Sequence, residues 1–197
     1  MYKRQLLAFA VMANADAIVV RRIFGDAAAE AYAPVITLGK MNLFIPLGIG
    51  LVLFPKATQR RAAGRDPRPV LLLALAATLL PGLLLTALYA LWPGQIVALV
   101  FGPAYADPGR LLALVGLATT LYAAVNIWLN YALSLEQRAY VVILAAIVVA
   151  QVTAMLLFHA RLESIAWAML AASVAANVAG VALLLARGSR GTGVQAG

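Results

Sequence analysis

The sequence contains no cysteine and a single histidine, His159. These two absences remove disulfide frameworks, thiol nucleophiles and the usual zinc ligand sets together, so no metal centre is expected. Charge is scarce as well: 11% of residues are charged and only seven of them are acidic. Four of those carboxylates, Asp66, Asp107, Glu136 and Glu163, fall singly on separate polar segments. An enzyme such as a membrane glycosyltransferase would need an exposed catalytic pair or metal-binding carboxylates near a loop, so the chain is not expected to be an enzyme or to carry a cofactor. Strict two-residue alternation over ten-residue stretches is also missing, which argues against a transmembrane β-barrel.

What remains is apolar. Of 197 residues 64% are hydrophobic, with a mean hydropathy of +0.95, against about 45–50% in soluble domains. A helix needs about 20 predominantly apolar residues to cross roughly 30 Å of hydrocarbon. Six segments meet that length, at about 6–23, 28–55, 70–92, 111–133, 140–158 and 165–186. The expected fold is therefore an all-α membrane protein, a bundle of about six transmembrane helices over residues 6–187. Residues 188–197 form a polar, Gly-rich tail, expected to be disordered.

The net charge of +8 does not indicate nucleic acid, because the basic residues gather where hydrophobic runs end rather than along one stripe. That placement is a topological signal. With the segment after the second span in the cytoplasm, that side collects Lys56, Arg60, Arg61, Arg65, Arg68, Arg138, Arg187 and Arg190. Arg21, Arg22, Arg110 and Arg161 fall outside, which places both termini in the cytoplasm. The twelve arginines against three lysines point to a GC-rich bacterial genome. Residues 1–5 are similar to the translation of a transposon-adapter end and are expected to be non-native, which implies a truncated reading frame. Read instead as a signal peptide, the start is interrupted by Asp16 and lacks a cleavage site.

The connections carry recognisable punctuation. Phe24-Gly25-Asp26 turns the first span into the second, with Asp26 placed as a helix cap. Gly64 to Pro69 separates the second from the third. Gln95 to Phe101 is too short to cross and reads as a small interfacial helix, with Trp92 and Tyr105 in an aromatic belt. Pro34, Pro46 and Pro81 are expected to bend the helices they interrupt.

Ionisable residues at membrane depth are default functional candidates, since each costs at least about 2.5–3.5 kcal/mol to insert. Here they are Asp16 and Lys40, on the two arms of an expected hairpin. They read either as a mutually neutralising pair or as the wall of a water-filled cavity. Softer polar positions are Thr119, Asn126 and Asn130 on one face of the fourth span, Gln151 in the fifth, and Ser173 and Asn177 in the sixth. They line a cavity or join helices by hydrogen bonds.

The stretch Asn14 to Tyr32, then Leu38-Gly39-Lys40, Phe44-Ile45-Pro46 and Val52-Leu53-Phe54-Pro55, resembles polysaccharide flippases of the multidrug/oligosaccharidyl-lipid/polysaccharide exporter superfamily. Trp92-Pro93 and Val100-Phe101-Gly102 with Tyr105 look like that family's segment before a long helix. Ala31 stands where the family usually has glycine before its tyrosine. The resemblance implies the C-terminal half of an inverted-V, two-bundle transporter, with an N-terminal bundle of the same protein as its missing partner. It implies flipping of undecaprenyl-pyrophosphate-linked oligosaccharide across the bacterial inner membrane. The substrate-binding set it implies is Asp16, Arg21, Arg22, Lys40 and Asn42, with cations attracting the pyrophosphate. A cation-coupled multidrug extruder of the same superfamily and an inactive membrane fragment or scaffold are the alternatives.

Overall fold

A computed structural model describes residues 2–105, 109–135 and 138–191. Asp107 and Glu136 lie outside the described residues, as do the side chains of Arg138, Arg187, Arg190, Ile45, Pro46 and Phe54. Among the described residues every regular element is a helix: α1 (Tyr2–Lys40), α2 (Ile45–Ala62), α3 (Arg68–Leu91), α4 (Pro93–Phe101), α5 (Leu111–Ser134), α6 (Arg138–Leu157) and α7 (Leu162–Gly191). Short 3-10 turns occupy Met41–Leu43 and Pro103–Tyr105.

α1 is two arms joined at Gly25, whose φ of 83° and ψ of −179° are not helical. Such angles are essentially confined to glycine. In one straight helix Asn14 and Lys40 would stand about 39 Å apart, yet the Lys40 Nζ lies 3.1 Å from the Asn14 Oδ1. The chain therefore reverses at Gly25 into the hairpin expected there. Asp26 accepts a hydrogen bond from the Arg21 Nε at 3.0 Å instead of capping a backbone amide.

The single helix expected over 28–55 is interrupted. The second arm of α1 ends at Lys40, a 3-10 turn follows, and α2 starts afresh with Pro46 in its first turn. Pro46 thus opens a helix where a bend was expected, since proline needs no hydrogen-bond partner at that position. α2 then continues through Pro55 to Ala62. α4 is the short helix expected before Phe101. At the other end α7 keeps helical backbone to Gly191, into the segment read as tail.

Among the described residues four helices are long and apolar enough to cross a membrane: α3, α5, most of α6 and the first 24 residues of α7. α1 and α2 are not among them. The first arm carries Asp16, Arg21 and Arg22, the second arm is short, and α2 bears Lys56, Arg60 and Arg61. The fold is thus an all-helical membrane-spanning architecture, with six spans not reached on this measure.

α5 is the hub, touching α1, α2, α3, α6 and α7. Two-thirds of its membrane-length window (67%) is buried, against 28% in each of the other three spans. Small residues permit this closeness. A methyl group at Gly82 would fall 2.6 Å from the Thr120 Cγ2, and one at Gly116 would fall 2.8 Å from the Tyr89 ring. Lipid tails are as apolar as leucine, so such close packing and interhelical hydrogen bonds drive association.

Candidate functional site

Two polar clusters occupy the interior. The first surrounds Asp16, on the buried side of the first arm of α1. Asp16 is fully buried, and its Oδ1 lies 3.6 Å from the Lys40 Nζ, whose side chain is 19% exposed. Lys40 also donates to the Asn14 Oδ1 at 3.1 Å, and Asn14 is anchored by donation to the Ala10 carbonyl at 2.8 Å. The other carboxylate oxygen takes the Tyr32 hydroxyl at 3.5 Å. Lys40 closes the C-terminal turn of its arm, where a cation meets the negative end of the helix dipole.

The hairpin therefore brings Asp16 and Lys40 together as an ion pair. Tyr32, fully buried behind it, belongs to the stretch that carries the family resemblance but is not among the expected site residues. Its position sixteen residues after Asp16, across a Gly25 turn, is the signal that could have found it. From α6 the Gln151 Nε2 donates to the Met12 carbonyl at 3.1 Å, tying that helix to α1.

The second cluster holds the helix interruption. A helix that stops inside the bundle leaves carbonyls without amide partners. Tyr89 of α3 donates to the Leu38 carbonyl at 2.8 Å, and Thr119 of α5 lies 2.6 Å from the Gly39 carbonyl. Asn42, in the 3-10 turn, donates to the Gly116 carbonyl at 3.0 Å and to the Thr120 hydroxyl at 2.9 Å. Thr86 and Thr120 stand 3.1 Å apart and share the Gly82 carbonyl. Thr86, Tyr89 and Thr120 escape sequence reasoning because isolated threonine and tyrosine are ordinary in membrane helices.

Asn42, expected to bind substrate, is fully buried in this network. The remaining expected residues are scattered. Arg21 is exposed and paired with Asp26, and Arg22 is exposed at the same turn. Asn130 bonds to the Asn126 carbonyl and side chain at 2.8 and 2.9 Å, within its own helix. Asn177 joins α7 to α5 by donating to the Leu121 carbonyl at 3.0 Å.

The open face of the hairpin adds polar groups to an otherwise apolar surface that includes Leu7 and Val11. Asn14, Ile18 and Arg21 on one arm, and Ala33 and Thr37 on the other, are exposed, with Lys40 half-buried between them. The outer faces of α3, α6 and α7 are instead lined by Leu72, Leu80, Leu84, Val149, Val178 and similar residues, with Thr153 a polar exception on α6. No family model, curated protein or solved structure matches this chain.

Proposed function

We propose that the chain is one six-helix half of a membrane transporter that flips a polyprenyl-pyrophosphate-linked oligosaccharide. The observation that carries the reading is the group Asn14, Thr37 and Lys40 on the open face of the α1 hairpin, set among exposed Leu7, Val11 and Ile18. Asn14 lies eleven residues before Gly25, about 16 Å along the helix and so near mid-bilayer. Asn14, Thr37 and Lys40 at that depth do not suit hydrocarbon. They suit an aqueous cavity closed by a second bundle, as in transporters built from two repeats. Lys40 and the exposed Arg22 supply cations for a pyrophosphate, and the interrupted second span is the kind of element found at transporter binding sites.

The native chain has no cysteine, so accessibility can be read directly. In membrane vesicles, Asn14→Cys and Thr37→Cys should react with a charged maleimide, while Leu80→Cys should not. Equal protection of all three would remove the cavity. The substrate assignment is tested in the two-bundle protein, where Arg21→Ala with Arg22→Ala should abolish glycan export at unchanged protein level. Undiminished export would overturn it.

A further inference from the structure

At the bundle end opposite the Gly25 turn, the segment joining α2 to α3 folds over a crevice between α5, α6 and α7. The crevice encloses about 250 Å³. Its rim is Arg61, Asp66 and Arg68, and aromatic walls come from Trp128, Tyr131 and Tyr140. Leu183 and Leu184 supply its apolar side. The Trp128 wall is set by Gly180, since a methyl group there would fall 2.5 Å from the indole ring.

The rim carries excess positive charge. Asp66 is engaged: its Oδ1 accepts the Arg68 backbone amide at 2.9 Å and lies 3.9 Å from the Arg68 Nε. Its carbonyl accepts Arg60 at 3.4 Å. The Arg61 side chain has no hydrogen bond or ion pair among the described residues, and the residue is exposed at the mouth. The pocket lies where α3 begins and α5 ends, the end of two membrane-length helices and so the level of lipid head groups.

We propose that this crevice holds the head group of an anionic phospholipid. The phosphodiester lies between Arg61 and Arg68, whose planar forks match its oxygens. The glycerol and the start of an acyl chain descend along Trp128, Leu183 and Leu184. A free phosphate would use the rim and leave the apolar side empty, whereas a lipid uses both. Basic pockets between helices at a membrane surface take such head groups. The inference is independent of any transported substrate.

The test is lipid retention by the purified full chain after exchange from mixed vesicles of phosphatidylglycerol and phosphatidylcholine, read by native mass spectrometry. Wild type should retain phosphatidylglycerol roughly thirtyfold over phosphatidylcholine, since a basic residue at a head group contributes about fivefold and two converge on the crevice. Arg61→Gln with Arg68→Gln should bring the ratio to parity. Arg65→Gln, in the same loop but outside the crevice, should leave it unchanged. Leu184→Trp fills the apolar side without touching charge and should also abolish the preference, with unchanged thermal unfolding showing that the fold survives. Parity in wild type, or a preference surviving both the double variant and Leu184→Trp, would overturn the proposal. So would an equal loss in Arg65→Gln. Displacement of the lipid by millimolar inorganic phosphate would also overturn it, by assigning the rim to a free anion.

Discussion

The Thr119 hydroxyl sits 2.6 Å from the carbonyl oxygen of Gly39, across the interface between α5 and the helix end at Lys40. Thr119 is also within reach of the Val115 carbonyl at 2.9 Å and the Gly116 carbonyl at 3.0 Å in its own helix. A hydroxyl has one hydrogen, and the shortest contact is the one that crosses helices. Thr119→Val would strip that donor at nearly constant volume and leave a buried carbonyl unsatisfied, at a cost of about 1–3 kcal/mol. Thermal unfolding of the purified protein in detergent should fall accordingly, with Thr119→Ser close to wild type. Equal midpoints for Thr119→Val and wild type would show that the cap contributes nothing.

Gly82 and Gly48 make a matched pair of substitutions. Gly82→Ala drives a methyl group to within 2.6 Å of the Thr120 side chain, whereas nothing lies within 4 Å of one at Gly48. The first should destabilise by about 1–3 kcal/mol through overpacking. The second should be neutral or stabilising by up to about 1 kcal/mol, because alanine is the better helix former. The same unfolding measurement decides, and a reversed order would contradict the packing of α3 on α5.

Asp16 and Lys40 should respond unequally to loss of their partner. Lys40→Met leaves a fully buried carboxylate without its cation, at a cost on the order of 3 kcal/mol. Asp16→Asn leaves a lysine that is still 19% exposed and bonded to Asn14, so about 1 kcal/mol is expected. In a double-mutant cycle the combined variant should lose less than the sum, with a coupling of about 0.5–3 kcal/mol. Additive losses would mean that the two groups do not act as a pair.

Gly25 is a purely conformational requirement. A methyl group there meets nothing within 4 Å, but the backbone sits at φ 83°, ψ −179°. Gly25→Ala should therefore cost about 1–3 kcal/mol and loosen the hairpin. Faster backbone hydrogen exchange around residues 20–30 would register this, and an unchanged exchange pattern would refute it.

How far each of these features could be read from sequence depends on its range. Length and hydropathy suffice for α3, α5, α6 and α7, because roughly 20 apolar residues in a row have few other uses. The turn at Phe24-Gly25-Asp26 and the stop at Gly64 were legible for a local reason, since glycine and its neighbours set the backbone there. The interruption at Met41–Leu43 was not. Residues 28–55 are apolar enough to read as one span despite Lys40, Asn42 and Pro46, and what holds the break at Lys40 is that Tyr89, Thr119 and Thr120, from other parts of the chain, pair with the groups it exposes.

The same division holds for the polar residues and for the bundle's centre. Sequence alone placed Asp16 and Lys40 on two arms of a hairpin; their separation of 3.6 Å, and the burial of Asn42 away from any open face, are tertiary facts. α5 and α3 are both apolar 24-residue helices, yet one is the hub and the other leaves most of its length outside the bundle's interior. Hydropathy sees no difference between a leucine facing lipid and one facing protein. Only the small residues and hydroxyls that let backbones approach make that choice, and their effect exists only once the partner helix is in place.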